Sequence, residues 1–399
     1  MGIHAANKDM ATKLIFDIII TGHHSEYIGH LVDYLVKNPD DHHYIFVTHP
    51  DFPSRFPNII SKAKENDNIQ ISGITAKELR MSESGNLLKR SFSWYKIVAK
   101  YASQYNANHA LLLYFNLFQL PLIFFRPKFH VSGILFLQFY RMAKTSWKER
   151  LKYFRKYCVT KSFSLNPKIH KIFILNDNKT AEFLNNEFRT KIFHVLYDPV
   201  PYLRPAEGFN SYDHYNIEPD RKILLHLGAL SDRKGTLEFI ESALSIKHEF
   251  QSGLAFLVAG SPGSAEMSEK IETRINQVNK TTKIKAVYDN GFLSNEKMKS
   301  IVDQCYAIVI PYKNPEASSG ILGHAAASNK PVITTGKGLL KELIEHYNLG
   351  LLIDEVTPEF IAEKIETLLG YDDWKSESLK FIMERTPENF ASTIVTQKG

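Results

Sequence analysis

The sequence contains only two cysteines, Cys158 and Cys305, among its 399 residues. They lie too far apart for a Cys-x-x-Cys motif, so we expect a reducing compartment and neither a zinc site nor a disulfide framework. The longest apolar stretch, residues 111–125, is interrupted by polar residues and proline, and it is shorter than the roughly 20 residues that span a bilayer. The first strand-like segment is short and contains Asp17, which is unlike a signal peptide. These absences predict a cytoplasmic protein.

Short apolar segments alternate along the chain with amphipathic helical patterns, for example at residues 25–37 and 91–105. Hydrophobic residues make up 44% and charged residues 23% of the chain, which is typical of a globular protein. We predict strands at residues 14–22, 43–49, 68–74, 109–115, 131–139 and 171–175 in the first half, and at 222–228, 253–260, 284–291, 306–312, 330–336 and 350–354 in the second.

This alternation predicts an α/β protein with two doubly wound, Rossmann-like domains. A polar, proline-containing stretch at residues 199–220 separates the two series of strands. We therefore expect an N-terminal domain at residues 1–200, a C-terminal domain at 201–375, and a helix within 376–399 that returns to the N-terminal domain. Ligands of parallel sheets bind beyond the carboxyl ends of the strands, and we expect the two sets of ends to face each other across a cleft.

The loop after the first strand of the second half has the features of an anion site. Gly228 lets the chain turn close to a ligand, and Gly235 stands where the next helix begins. Arg233 and Lys234 precede the free N–H groups of that helix, so cations and the helix dipole act together. The alternative is a capped surface helix with ordinary solvated charges.

A second loop of the same kind occurs in residues 311–334, where a strand leads to Glu316. Ser318, Ser319 and Gly320 then begin a helix. Two helix N-termini beside one crevice suit a diphosphate, and a glutamate there suits a polyhydroxy ligand. The alternative for Glu316 is a carboxylate that only complements the helix dipole.

The order of these segments resembles the C-terminal domain of family-four glycosyltransferases, which are retaining enzymes of the GT-B fold. The resemblance covers roughly residues 220–370, whereas the first half is similar only in the order of its strands. It rests on the segments HLGALSDRKGTLEFIESA, FLVAGSPG, GFLSNEKMKSIVDQCYAIVIPY, PEASSGILGHAAASNKPVIT and GLLID. The resemblance implies a nucleotide-sugar donor, which is a substrate, and no cofactor.

The resemblance also implies roles for single residues. Lys234 matches the lysine that holds the donor diphosphate, and Glu316 matches the glutamate that contacts the donor sugar. Ala229 stands where the family has an arginine, so Arg233 is the candidate substitute. His324 stands where a second glutamate binds the ribose, and the alternative is a helix histidine bonded to nearby backbone. No Asp-x-Asp motif occurs, so we expect a metal-independent enzyme.

The acceptor is expected on the N-terminal domain, near the loop in residues 21–31. Gly22 turns the chain there, and His23 or His24 could orient an acceptor hydroxyl group. The alternative is a capped helix with exposed histidines. Gln138 stands where family members often have a histidine at the end of a later strand, so the general base is unassigned.

Residues 141–171 contain ten lysines and arginines but one acidic residue, Glu149, with aromatic residues between them. This pattern predicts contact with an anionic membrane surface, and the alternative is a solvated helix face. No nucleic-acid module accompanies the basic residues, so we expect no nucleic-acid partner.

The leading hypothesis is a retaining glycosyltransferase of surface polysaccharide synthesis, acting on a glycan or a lipid-linked acceptor at the inner face of the plasma membrane. The main alternative is a protein of the same fold with a degenerate donor site that binds or scaffolds a synthase complex. An epimerase of nucleotide sugars is a weaker alternative, because it would leave the basic segment without a purpose.

Overall fold

The computed structural model describes residues 11–136, 139–313 and 319–396. The chain forms two compact units. The N-unit comprises the chain up to Asp198 together with the segment from Pro387 onward, and the C-unit comprises Pro199–Thr386.

The N-unit contains a parallel seven-stranded sheet. Its strands are β1 (Thr12–Asp17), β2 (His43–Thr48), β3 (Ile69–Gly73), β4 (His109–Leu112), β5 (His130–Ile134), β6 (Ile169–Leu175) and β7 (Phe193–Leu196). They are arranged in the order β3-β2-β1-β4-β5-β6-β7. In β1, Phe16 packs in the apolar cluster on one face and Ile15 in the cluster on the other. Burial on both faces explains why this strand reads as a continuous apolar run.

Helices cover both faces of this sheet. They are α1 (His24–Lys37), α2 (Phe52–Arg55), α3 (Pro57–Ala63), α4 (Ala76–Glu83), α5 (Leu87–Gln104), α6 (Gln119–Phe124), α7 (Trp147–Ser164) and α8 (Asn178–Phe188), with a 3₁₀ turn at Phe115–Leu117. The helix predicted at residues 91–105 begins earlier, because the side chain of Asn86 caps it by accepting a hydrogen bond from the Lys89 backbone N–H at 3.0 Å.

The C-unit repeats this plan with a parallel six-stranded sheet. Its strands are β8 (Lys222–Leu227), β9 (Leu254–Gly260), β10 (Lys285–Asn290), β11 (Ala307–Ile310), β12 (Val332–Thr335) and β13 (Gly350–Ile353), in the order β10-β9-β8-β11-β12-β13. Its helices are α9 (Ser211–Tyr215), α10 (Thr236–Ser242), α11 (His248–Gln251), α12 (Ala265–Thr281), α13 (Asn295–Gln304), α14 (Gly320–Ala327), α15 (Gly338–Tyr347), α16 (Pro358–Leu369) and α17 (Ser378–Glu384), and a 3₁₀ turn lies at Asp232–Lys234.

The segment predicted at 376–399 divides between the two units. Helix α17 packs on α14 and α15 within the C-unit. The next helix, α18 (Pro387–Thr396), packs on α1 in the N-unit, where the rings of Phe390 and Tyr27 lie 4.6 Å apart. Lys13 also donates a hydrogen bond of 3.3 Å from Nζ to the Val395 carbonyl oxygen. The N-unit is therefore completed by residues that follow the C-unit in sequence.

The prediction of two doubly wound, Rossmann-like sheets is confirmed. All twelve predicted strands occur, although several end earlier than predicted, and the sequence analysis missed β7. Both cysteines are free thiols, with Cys305 buried and Cys158 exposed. Among the residues that the structure describes, every helix is too short or too polar to cross a bilayer.

Candidate functional site

Two loops meet at the carboxyl edge of the C-unit sheet, one after β8 and one after β11. A Cβ atom placed on Gly228 would lie 3.2 Å from Lys234 Nζ and 3.9 Å from Ile321 Cδ1, so the lysine ammonium and the start of α14 both lie beside this glycine. Lys234 Nζ is also 5.3 Å from the centre of the Tyr312 ring. The Tyr312 hydroxyl is hydrogen-bonded to Ser319 Oγ at 2.9 Å. The structure thus brings together Gly228, Lys234 and Ser319, which were predicted from separate motifs.

A buried histidine that the sequence analysis did not select holds the first loop in place. His226 Nδ1 lies 2.8 Å from the carbonyl oxygen of Val309, and Nε2 lies 3.0 Å from Thr236 Oγ1. Burial lowers the pKa of His226 to about 4, so the ring is neutral near pH 7. A carbonyl oxygen can only accept, so Nδ1 donates and Nε2 accepts from the threonine hydroxyl. Thr236 Oγ1 also accepts from the Ser231 backbone N–H at 3.2 Å, which fixes the loop between them.

The strand ends approach so closely that only glycine fits at two positions. Gly260 ends β9 with a φ of 140°, and a Cβ atom there would lie 1.9 Å from the Gly228 carbonyl oxygen. Gly235 has a φ of 66°, and its Cβ would lie 2.3 Å from the Pro311 carbonyl oxygen. Both backbone conformations favour glycine even without the contacts. The backbone of Gly228 can therefore take its position only because Gly260 has no side chain.

Within the described part of these loops, two cations are available to an anionic ligand. Lys313 is neutralised, because its Nζ binds Asp232 Oδ1 at 2.7 Å and Glu238 Oε1 at 2.6 Å. Partial burial opposes the charged form, but these two carboxylates raise the pKa of Lys313 overall. Lys234 forms no ion pair with any described residue, and the exposed side chain of Arg233 has no described partner either. Among the described residues, Lys234 and Arg233 are therefore the cations of this loop that have no acidic partner.

Helix α14 begins at Gly320 and carries His324 about 6 Å further along its axis. The His324 side chain is partly buried, and no described residue forms a hydrogen bond with it. Burial, together with repulsion from the Lys299 charge, lowers the pKa of His324 to about 4. Its imidazole is therefore neutral near pH 7, so it can donate one hydrogen bond and accept one. The alternative of a ring bonded to nearby backbone has no support within the described part of the chain.

Three predicted site residues, Glu316, Ser318 and Gln138, lie outside the described residues. Their roles therefore stay predictions. Within residues 11–136, 139–313 and 319–396, no group of three or more histidine, cysteine or acidic side chains is placed to hold a metal ion.

The predicted acceptor loop of the N-unit follows β1. Gly22 turns the chain with a φ of 67° and has open space around it. His24 is buried and its Nδ1 lies 2.7 Å from Asp17 Oδ2, whereas His23 keeps an exposed edge and stacks on His24 at 4.8 Å. Desolvation, and secondly repulsion from His24, lowers the pKa of His23 to about 4. The alternative of two exposed histidines is therefore wrong for His24. Sequence reasoning missed Asp17, which it used only as evidence against a signal peptide.

Parts of the chain are similar in sequence to known glycosyltransferases. Residues 211–380 match the family model described as glycosyl transferases group 1. An uncharacterized glycosyltransferase of Methanocaldococcus jannaschii is 25% identical over 204 residues, which are 50% of this chain and 49% of that protein. The match thus spans about half the length of this relative, and it supports the resemblance inferred from the sequence.

Solved structures with the same fold cover nearly the whole chain. A glycosyltransferase from Rickettsia africae superposes with a TM-score of 0.65 at 16% identity, covering 98% of this chain and 100% of that one. WaaG, a glycosyltransferase involved in lipopolysaccharide biosynthesis, superposes with a TM-score of 0.63 at 14% identity, covering 96% and 99%. At these identities the likeness shows the fold, which is GT-B.

Proposed function

Since residues 211–380 carry a glycosyl transferases group 1 domain within a GT-B fold, we propose that this protein is a glycosyltransferase. It would move a sugar from a nucleotide-sugar donor to a glycan or lipid-linked acceptor, in the synthesis of a surface polysaccharide. The observation that carries the proposal is the position of the Lys234 ammonium beside Gly228 and the first turn of α14. An unneutralised cation beside two strand-end loops suits a diphosphate.

The proposed chemistry places the developing negative charge on the leaving diphosphate. Lys234 and Arg233 would stabilise that charge, together with the N-terminal N–H groups of α14, without a metal ion. By the resemblance to family-four enzymes, Glu316 would contact the donor sugar, His324 the ribose, and the acceptor would attack with retention of configuration. No enzyme nucleophile is required in such a reaction.

The decisive experiment is a donor screen with the purified protein. UDP-, GDP-, ADP- and dTDP-sugars are tested one by one for binding by calorimetry and for release of nucleoside diphosphate without acceptor. We expect one nucleotide to bind and its sugar to be hydrolysed slowly to water. If no nucleotide sugar binds, the protein is instead the scaffold considered in the sequence analysis.

We predict a kinetic division of labour between Glu316 and His324. Glu316→Gln should lower kcat about tenfold or more, because its carboxylate is proposed to contact the sugar whose bonding changes in the transition state. His324→Ala should mainly raise the KM for donor, because ribose contacts are equal in the ground state and the transition state. Steady-state kinetics with the donor found in the screen measure both. The reverse pattern would remove Glu316 from the chemistry.

Helix α7 supports the proposal of a lipid-linked acceptor. Trp147, Leu151 and Phe154 recur at i, i+4 and i+7, so they share one face of the helix, and they are 74%, 53% and 62% exposed. This apolar stripe faces away from the protein core, against which the opposite side of α7 packs through Phe163. Phe124 on α6, which packs against α7, is 69% exposed as well. Apolar side chains exposed on one face of a helix would be able to enter the headgroup region of a membrane.

Basic residues border this stripe. Lys148, Lys152 and Arg155 each follow one residue after a member of the stripe, and all three are exposed. Not every basic residue of the segment is available, because Arg141 pairs with Asp177 at 2.5 Å within the N-unit and Lys171 is buried. An apolar stripe beside clustered cations suits an anionic lipid surface, to which each basic residue near the surface adds about 1 kcal/mol.

We predict that the protein pellets with vesicles of phosphatidylcholine and phosphatidylglycerol at low salt, and weakly with phosphatidylcholine alone. Binding should weaken as the Debye length falls from roughly 30 Å at 0.01 M to about 8 Å at 0.15 M ionic strength. Charge reversal of Lys148, Lys152 and Arg155 to glutamate should abolish pelleting. Replacing the three apolar residues of the stripe with serine should weaken it at every salt concentration.

A matched control is Leu379→Ser, because Leu379 is 72% exposed on α17 of the C-unit, outside the basic segment. It should pellet like the wild-type protein, and all variants should keep their donor binding. Absence of pelleting with either kind of vesicle would show that α7 is a plain solvated face, and the acceptor would then be sought among soluble glycans.

A further inference from the structure

A carboxylate and an imidazole form a dyad at the carboxyl edge of the N-unit sheet. Asp17 ends β1 and is only 1% exposed. Its Oδ1 accepts a hydrogen bond of 3.0 Å from the Ile19 backbone N–H, and its Oδ2 lies 2.7 Å from His24 Nδ1. The carboxylate is thus held from one side by the backbone and directs its second oxygen at the histidine.

This contact fixes the tautomer of His24. An ionised carboxylate can only accept hydrogen bonds, so Nδ1 must carry the proton. In the neutral ring the lone pair then lies on Nε2, which no described residue contacts by a hydrogen bond. The rings of Tyr114 and Phe136, at 5.8 and 6.2 Å from the His24 ring, and of His23 at 4.8 Å restrict its movement. The imidazole is therefore oriented, with one basic nitrogen available.

The Asp17–His24 pair differs from a second histidine–aspartate pair in the same unit, which is an ordinary surface contact. His42 Nδ1 lies 3.1 Å from Asp40 Oδ2, and both side chains are more than a third exposed. Solvent screens such a pair, which forms because the residues are neighbours in sequence. The side chains of Asp17 and His24 are 0% and 9% exposed. Burying a carboxylate rarely stabilises a fold, so this pair calls for another reason.

We propose that His24 is a catalytic residue that takes the proton of the acceptor hydroxyl group, with Asp17 as its positioning residue. This inference rests on the proposed glycosyltransferase function. The acceptor O–H bond breaks as its oxygen bonds to the anomeric carbon, and the proton passes to His24 Nε2. The bond between that carbon and the diphosphate breaks at the same time, and its electron pair leaves with the diphosphate. The imidazolium then returns the proton to solvent, and Asp17 stabilises the imidazolium while it exists.

The other titratable groups around His24, besides Asp17, are His23, Tyr114, Tyr27 and Glu26. The pKa of His23 is about 4, and burial raises the pKa of Tyr114 above its ordinary value. Burial, and then the neighbouring Asp198, raises the pKa of Tyr27 well above the ordinary value. Glu26 on α1 is the remaining acidic neighbour of this helix turn. If kcat/KM declines at acid pH in the wild-type protein and this decline is lost when the His24 imidazole is removed, the decline is due to His24.

The first variant is Asp17→Asn. The asparagine oxygen can still accept from Ile19, but its NH₂ group would donate to His24 Nδ1, and the ring would then carry its proton on Nε2. That tautomer cannot take a proton at Nε2, so we expect kcat to fall about 100-fold, within the range of general base catalysis. Donor affinity should stay within about twofold, because the donor site lies in the other unit.

The second variant is His24→Ala with added imidazole, which removes the base and supplies it again from solution. We expect a similar loss of kcat, the disappearance of the acid limb of the kcat/KM profile, and partial recovery with imidazole. His42→Gln is the matched control and should keep the wild-type rate and pH profile. Thermal unfolding and donor calorimetry establish that each variant is folded and binds donor.

Three outcomes would overturn the inference. Transfer by Asp17→Asn at the wild-type rate would show that the tautomer is irrelevant. An unchanged acid limb in His24→Ala, or no recovery with imidazole, would mean that the proton goes elsewhere, for example to the leaving diphosphate. These results all presuppose a wild-type protein that binds donor and transfers sugar, so they differ from a failure of the proposed function, in which no nucleotide sugar binds.

Discussion

Lys234→Ala should lower kcat/KM for sugar transfer by about 10²–10³, the usual cost of removing one group that stabilises transition-state charge. The Lys234 ammonium lies beside Gly228 and is not paired with a described acid, so its positive charge is available to a ligand. Affinity for the nucleoside diphosphate should also fall. The folded state should lose no more than about 0.5 kcal/mol, because the side chain is partly exposed and carries no ion pair.

The matched control is Lys280→Ala, since Lys280 is an exposed lysine near the end of α12 and lies in the same unit. Helix α12 follows the carboxyl end of β9 and runs back toward the start of β10, so Lys280 lies at the opposite edge of the sheet. This variant should bind and transfer like the wild-type protein. Equal activity of Lys234→Ala and Lys280→Ala would refute the assignment of Lys234 to the diphosphate.

Gly260→Ala should destabilise the C-unit by about 2–4 kcal/mol, since a positive φ and a clash act together. The new methyl group would lie 1.9 Å from the Gly228 carbonyl oxygen, so either β9 or the loop after β8 must move. Because that loop carries Lys234, donor affinity should fall together with stability. Chemical denaturation followed by circular dichroism measures the first effect, and nucleotide calorimetry measures the second.

An alanine substitution at Gly291 distinguishes the cost of backbone strain from the cost of a steric clash. It follows β10 with a φ of 154°, close to the 140° of Gly260, but a Cβ atom there would have no neighbour within 4 Å. Gly291→Ala should therefore cost only the backbone strain, about 1 kcal/mol, and leave donor binding intact. If Gly260→Ala and Gly291→Ala lowered the free energy of unfolding by the same amount, the close approach of β8 and β9 would not contribute to the effect at Gly260.

The sequence predicted those strands that are buried on both faces of a sheet. Such strands produce uninterrupted apolar runs. In contrast, β7 is a strand of four residues, Phe193–Leu196, that lies at the edge of the described sheet beside β6 and is half-buried at its centre. Strand ends were less predictable, because side chains distant in sequence decide them. The strand predicted at 131–139 ends at Ile134, and the Asn116 side chain instead bonds the backbone N–H and carbonyl of Phe136 at 2.9 and 2.7 Å.

In the candidate site, too, some residues were predictable from the sequence and others were not. Glycines, lysines and serines at strand ends are visible in the sequence, and the structure brings Gly228, Lys234 and Ser319 together. The residues that support them are not visible, because a buried histidine in an apolar strand reads as core. His226 is recognised only through its contacts with Val309 and Thr236, which lie on other elements. The choice of His24 over His23 likewise required the position of Asp17.

The position of α18 on α1 has a consequence for the synthesis of the chain. The N-unit residues up to Asp198 are translated before the C-unit, but the surface that Tyr27 shares with Phe390 stays uncovered until the whole C-unit has been translated. At about 5–20 residues per second this interval lasts about 10–40 s. During that time the nascent N-unit presents an apolar strip on α1 to the surrounding solution. Transiently exposed apolar surface is prone to aggregation during folding, so the order of the helices along the chain leaves the N-unit open to this risk until α18 has been made.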